Sequence, residues 1–240
     1  MYDDVPVAEL AARLGVPEVV VFERVGSTLD VAHGRAAAGA PTGTLVIAHE
    51  QTAGRGRNGR RWSSARGHGV WLTLIEHPDP GALDLLALRI GMAAARALEP
   101  FAATSIGVKW PNDLYLDHRK LAGTLVEARW REAALEWVAV GFGVNVLAAT
   151  DQPNAAGLTA NTLRLDVLTV LVPALRAATK ATGPLTQDEV AEYDSRDMAR
   201  GRRCTEPVRG IVRGISATGS LVVERGDAIV EVRSGSLVLE

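Results

Sequence analysis

Residues 106–146 read as strand after strand, and this run constrains the fold more than any other part of the chain. Ile106, Val108 and Trp110 alternate, so they share one face of a strand while Lys109 points to the other. Pro111 holds Trp110 extended and stops that strand. Residues 114–116 and 120–128 form two strands around the turn DHR, and 137–146 is a further strand. Upstream, strands and helices alternate. An amphipathic helix over 6–15 puts Val7, Leu10, Ala11 and Leu14 on one face and ends at Gly15 and Pro17. VVVF (19–22), TLVIAHE (44–50) and VWLTLIE (70–76) are strands. Ser27 or Thr28 caps a helix to about Ala38, closed by Gly39, and 82–98 is a buried helix ended by Pro100. The mixture implies an α+β domain built on a mixed sheet.

Periodicity lapses over 147–160, an irregular stretch of a length that is often functional inside a compact domain. Asp166 caps a helix through about Ala181, which Pro173 kinks or breaks, and another helix covers about 187–199. From Arg202 the texture changes. Short β-branched runs parted by Gly–Asp, Thr–Gly and Ser–Gly turns match a small SH3-like β-barrel. The division is therefore a main domain over 1–200 and a β module over 201–240.

Bulk properties narrow the function classes. A net charge of −2 excludes a generic polyanion binder, so any anion site is local. The single cysteine, Cys204, makes no internal disulfide and fits a reducing compartment. The acidic start MYDDVPVAEL has no signal-peptide pattern, and no apolar run approaches the roughly 20 residues that span a bilayer. These features set the expectation of a cytoplasmic globular protein without a membrane partner.

Four stretches carry chemistry. QTAGRGRNGRRW (51–62) combines arginine forks, which grip carboxylate or phosphate at two points, with glycines at 54, 56 and 59 that permit positive φ and an anion-binding nest of N–H groups. Its plain alternative is a solvated basic turn or a nucleic-acid tether. KWPNDLYL (109–116) leaves Asn112 and Asp113 at a strand end, and its plain alternative is an ordinary closing turn. RKLAG (119–123) offers Lys120 as a compact charge and Gly123 as a point of close approach, or else an exposed edge lysine. GFGVN (141–145) marks a close backbone approach at a strand end. No helix follows it, so it is no dinucleotide fingerprint. The chain also lacks a GxxxxGK[ST] phosphate loop, a GxSxG nucleophile elbow and paired metal-ligand histidines.

In this order and spacing, GST (26–28), HEQTAGRGRNGRRW (49–62), KWPNDLYL, RKLAGTLVE (119–127) and GFGVN closely resemble biotin–protein ligases. The resemblance is dense over 19–146 and weaker through the C-terminal module. It implies a class II synthetase-like mixed-sheet catalytic domain. Such enzymes activate biotin with ATP to biotinyl-5′-adenylate and then pass biotin to a lysine of a biotin carboxyl carrier protein domain. Mg²⁺ accompanies the ATP, and a homodimer is compatible with the pattern. By the same resemblance Ser27, Thr28 and Gln51 bind the ureido ring. Gly54, Arg55, Gly56 and Arg57 wrap the carboxylate and then the adenylate phosphate. Lys120, Arg55 and Lys109 hold the reacting charge, with Gly123 beside the biotin. Arg60, Trp62, Asn112 and Asn145 join the nucleotide side, and Asp113 is placed with the metal.

The chain departs from the family in places. Leu29, which the resemblance places among the biotin-binding residues, stands where the family usually carries a polar residue, so that one ring contact is lost or moved. The 147–160 stretch has no aromatic to cover adenine, and Leu158 is the apolar substitute. About 18 residues precede the first strand, too few for a winged helix, so no DNA partner is expected. The competing readings are a lipoate or octanoate ligase or transferase of the same fold and a non-enzymatic arginine–glycine nucleic-acid binder.

Overall fold

The computed structural model describes every residue except Thr150. A seven-stranded mixed sheet dominates, in the order β1-β2-β3-β7-β6-β5-β4. These strands are β1 (Val19–Phe22), β2 (Leu45–Ala48), β3 (Gly69–Glu76), β4 (Gly107–Lys109), β5 (Asp113–Leu116), β6 (Arg119–Arg131) and β7 (Ala134–Asn145). Only β1 and β2 pair in parallel, across the crossover helix α2 (Thr28–Ala37); every other neighbour is antiparallel.

Both faces of this sheet are covered, as the apolar strands require. Alternation sorts the side chains: Leu45 and Ile47 enter the main core, whereas Val46, Ile75 and Ala139 pack with Leu29 and Ala32 of α2. The main core lies under α1 (Val7–Leu14), α3 (Leu83–Leu98) and α4 (Arg164–Ala178). The last helix, α5 (Gln187–Arg196), is started by a capping box between Thr186 and Glu189. After it the chain runs beside β4: Asp197 bridges Val108, and Met198 N donates to Val108 O at 3.2 Å.

The C-terminal part is a five-stranded antiparallel sheet, ordered β11-β10-β9-β8-β12. Its strands are β8 (Arg203–Glu206), β9 (Gly210–Ile215), β10 (Leu221–Arg225), β11 (Ala228–Val232) and β12 (Val238–Leu239). It meets the main domain just past β4, where Trp110 Nε1 donates to Gly219 O at 3.0 Å. The Trp110–Pro111 bond is cis. Among the described residues no helix is long and apolar enough to cross a membrane.

Some local expectations shift. Ser27 is the cap of α2, its Oγ accepting from Leu29 N at 3.3 Å. Asp166 is not a cap: Leu163, three residues earlier, is the N-cap of α4, and Asp166 lies in the first turn, where its charge favours the helix dipole. Pro173 lies inside α4, which continues to Ala178. The 147–160 stretch is irregular where described; Thr150 lies outside the described residues.

The junction after α5 holds a strained charge. Asp197 Oδ1 accepts from Ala199 N at 2.9 Å, while Oδ2 is buried without a partner among the described residues. Burial, with Asp194 adding repulsion, pushes the Asp197 carboxyl up to about 6. The folded state therefore holds this proton more tightly than the unfolded chain. That contribution is complete below about pH 4 and disappears as pH rises through about 6. Asp197→Asn keeps the Oδ1 acceptor and removes the charge. It should raise stability by about 1–3 kcal/mol at pH 8 and by almost nothing at pH 4, as denaturant melts at both pH values would show.

Candidate active site

Between the N-terminus of α2, the 51–62 loop and the ends of the strands lies a cavity of about 640 Å³. Seven Arg and Lys side chains line it against one carboxylate, Asp113. The chain as a whole carries a net charge of −2, so this concentration is local.

One end is neutral and polar. Thr28 N and Oγ1 both donate to Gln51 Oε1, at 2.8 and 3.1 Å. Thr73 Oγ1 donates to Thr28 Oγ1 at 2.8 Å, and Gln51 Nε2 donates to Ser64 Oγ at 2.9 Å. The knot fixes which way the Gln51 amide faces, and Ser27 Oγ lies beside it. Leu29 lines the same end, packed on Gly141, where a Cβ would come within 3.1 Å of its side chain.

The floor is Trp62. Gly123 and Gly143 are direct partners across β6 and β7, and together they leave a slot for the indole. A Cβ on Gly143 would stand 2.7 Å from Trp62 Nε1, and one on Gly123 3.4 Å from its ring. The indole meets Trp71 edge-on at 6.4 Å between centroids.

The other end is cationic. Lys120 Nζ lies 2.7 Å from Asp113 Oδ1 and 5.2 Å from the Trp62 ring centroid. Its backbone is clamped by the irregular stretch: Lys120 N donates to Asn154 O at 2.7 Å, and Ala156 N donates to Lys120 O at 2.8 Å. Asn145 Nδ2 adds a donor to that same carbonyl at 3.4 Å. Lys109 lies 5.6 Å from the Tyr115 ring centroid. Burial lowers its pKa most; Lys120, Arg60 and Arg202 push in the same direction, and Asp113 opposes them. Burial likewise lowers Arg57, whose Nη1 reaches Asn112 Oδ1 at 3.5 Å.

The model of the biotin/lipoate A/B protein ligase family matches residues 21–145. The biotin–[acetyl-CoA-carboxylase] ligase of Mycobacterium tuberculosis is 32% identical, with 95% of this chain and 91% of that protein aligned. The chain belongs to the biotin/lipoate A/B protein ligase family. The bifunctional ligase/repressor BirA of Bacillus subtilis is 38% identical over 57% of this chain, and that alignment spans only 42% of the relative's length. The solved biotin protein ligase of Aquifex aeolicus, in complex with biotin and ATP, shares the fold at a TM-score of 0.73. It is 23% identical, with 93% of this chain and 99% of that one covered.

For a family member, the cavity gathers nearly every residue singled out in the sequence. Ser27, Thr28, Leu29, Gln51, Arg55, Gly56, Arg57, Arg60, Trp62, Lys109, Asn112, Asp113, Lys120, Gly123 and Asn145 line it; Gly54 does not. Gly54 instead lets the loop close on itself, since its Cβ would meet Trp62 O at 2.6 Å.

The loop itself differs from the open nest expected. It folds as a small hairpin: Arg55 bridges Arg61, Gly56 N donates to Arg60 O at 2.8 Å, and Trp62 N donates to Gly54 O at 2.9 Å. The Gly56 and Trp62 amides are thereby used internally. Of the three glycines only Gly59 has positive φ, at 71°, beside Asn58 at 55°; Gly56 is extended with φ −119°. Arg55 is engaged too, its Nη2 3.0 Å from both Asp30 and Glu127. Lys120 is no exposed edge residue, because its strand is flanked by β5 and β7. Leu158 packs into the core and is absent from the cavity lining.

Sequence reading missed Thr73, Ser64, Tyr115 and Arg202. A lone hydroxyl inside the apolar strand VWLTLIE was the available signal for Thr73. Nothing local marks Arg202, which stands among other arginines at a segment junction.

The glycine slot is testable. Gly143→Ala should cost about 1–3 kcal/mol of stability by forcing the Trp62 indole outward. Gly34→Ala, in α2 with nothing within 4 Å of its new Cβ, should be neutral or stabilise by up to about 1 kcal/mol. Urea titrations of the two variants would separate these effects.

Proposed function

We propose that the protein is an ATP-dependent biotin–protein ligase. The observation that carries this reading is the gradient along one cavity, from a neutral hydrogen-bonding knot at Thr28 and Gln51 to a cationic end at Lys120 and Lys109. Biotin has a matching asymmetry: a neutral ureido ring at one end and a carboxylate at the other. The names of the aligned relatives support the same activity.

In the first step a biotin carboxylate oxygen attacks the α-phosphorus of ATP. A bond to the α-phosphorus forms, the α–β bridging P–O bond breaks, and pyrophosphate leaves. Two anions must meet against their repulsion, and Arg57, Lys120 and Lys109 offset it where charge builds. Trp62 supplies an apolar floor that excludes water beside Lys120. In the second step the neutral amine of a carrier lysine attacks the acyl carbon, the acyl–phosphate C–O bond breaks, and AMP leaves. Asn112 and Asn145 act as orienting groups, since each ties neighbouring strands through backbone carbonyls.

The nucleotide's Mg²⁺ would meet Asp113 here. One carboxylate plus phosphate oxygens and waters is a donor set this hard cation accepts, and it would neutralise phosphate charge. Among the described residues there is no cluster of three or more His, Cys, Asp or Glu that could hold a metal unaided. The reading places the protein in the cytoplasm and takes a carrier domain, not DNA, as its macromolecular partner. It takes the C-terminal sheet as an SH3-like module beginning near Gly201. Dimerisation is no part of the mechanism.

A lipoate or octanoate ligase of the same family is the second reading. The Thr28–Gln51–Thr73 knot favours biotin, because an acyl chain or dithiolane has nothing to hydrogen-bond there. Incubation with MgATP, a carrier domain and either biotin or lipoate, followed by mass measurement, decides between them. A biotinyl adduct on lysine is expected. A lipoyl adduct alone would replace the proposal.

Lys120→Ala should lower biotin-dependent ATP–pyrophosphate exchange by about a hundredfold or more. The cost in stability should be of the order of 1 kcal/mol, from Asp113 losing its partner. Exchange at the unaltered rate in a folded variant would remove Lys120 from the mechanism.

A further inference from the structure

We propose that Arg202 binds the pyrophosphoryl end of the nucleotide during activation, a role that rests on the ligase reading. Arg202 lies outside the motifs that define the site, at the junction between the two sheets. Its backbone is held from both sides: Arg202 N donates to Ala199 O at 3.0 Å, and Val212 N donates to Arg202 O at 2.9 Å. Residues 197 and 198 are pinned to Val108, so the chain delivers Arg202 next to the end of β4, where Lys109 stands. The half-buried side chain lines the cavity and is close enough to Lys109 to depress that lysine. Among the described residues no carboxylate lies within ion-pair distance of it. Arg55 and Lys120, by contrast, already have acidic partners.

The sheet orders the ligand. The polar knot includes Thr73 on β3, and Lys109 is on β4, four strand steps away. At about 4.8 Å per step the two ends stand roughly 19 Å apart. Trp62 over β7 and β6 and the Lys120–Asp113 pair on β6 and β5 fill the middle. Biotin lying from the knot toward Lys120 puts its carboxylate and the α-phosphorus near the middle. The β4 end then gathers Lys109, Arg60 and Arg202, with Asp113 the sole carboxylate in the lining. A neutral base or ribose cannot relieve that repulsion. The β- and γ-phosphates can, and an arginine fork binds them at two points.

The test uses the full chain and Arg202→Ala and Arg202→Lys variants. Three quantities are read: equilibrium affinity for pyrophosphate and for biotin, the KM values for ATP and pyrophosphate in biotin-dependent exchange, and the rate of transfer from preformed biotinyl-adenylate to a carrier domain. In Arg202→Ala, pyrophosphate affinity should fall about tenfold or more and both KM values should rise in proportion. Biotin affinity and transfer from the adenylate should stay within twofold, and Arg202→Lys should recover part of the loss. Three results would overturn the assignment: unchanged pyrophosphate and ATP parameters, a defect confined to transfer, or an equal loss of biotin affinity. A wild-type chain that fails to exchange pyrophosphate with biotin would instead overturn the ligase reading, while the direct binding measurement still judges Arg202.

Discussion

The site depends on two glycines facing each other across neighbouring strands. Gly123 and Gly143 are register partners, and the indole of Trp62 occupies the space that their missing side chains leave. Trp62 is also the last residue of the arginine hairpin, closed by its own N–H on Gly54 O. One packing event therefore seats the hairpin, forms the cavity floor and sets the surface over which Lys120 extends. A methyl group on Gly143 would displace the indole and with it a component of all three. Close packing makes such positions bistable rather than compliant.

Charge is concentrated against the character of the whole chain. The protein is slightly acidic, yet the cavity collects seven cationic side chains. The fold tolerates this by pairing some of them internally. Arg55 is tied to Asp30 on α2 and Glu127 on β6, and Lys120 to Asp113. Lys109 and Arg57 carry a burial penalty that shows as lowered pKa values. A polyanion entering the cavity neutralises them. Part of the binding free energy is thus relief of repulsion already present in the folded protein.

Much of this was legible before any coordinates. Apolar and β-branched runs located β1 to β3, and the alternation of Ile106, Val108 and Trp110 located β4. The motifs located the cavity because charged residues, glycines and a tryptophan rarely cluster for packing alone. What was illegible depends on long-range geometry. Gly54, Gly56 and Gly59 look equivalent in the sequence, but one serves close approach, one extended pairing and one a left-handed turn. Asp166 is an eligible capping residue, yet α4 starts from Leu163, three residues earlier. Arg202 has no local signature because its neighbour Lys109 lies 93 residues away in sequence and meets it only through the Val108 contacts of residues 197 and 198.

Those contacts also explain why the C-terminal sheet cannot be an idle appendage. Three of its contacts with the main domain border the cavity. Trp110, inside the KWPND motif, donates to Gly219. Asn58, at the left-handed tip of the arginine hairpin, donates to Ser236 Oγ at 3.0 Å. Leu237 to Leu239 contribute to the lining. A hairpin tip held at one end by Trp62 and at the other by Ser236 has little freedom to splay from its own repulsion. The second sheet therefore offsets, by geometry, a cost that the cationic hairpin could not offset within its own sequence. The same contacts place the cationic end of the cavity at the seam between the two sheets, where a bound polyphosphate would couple their relative positions.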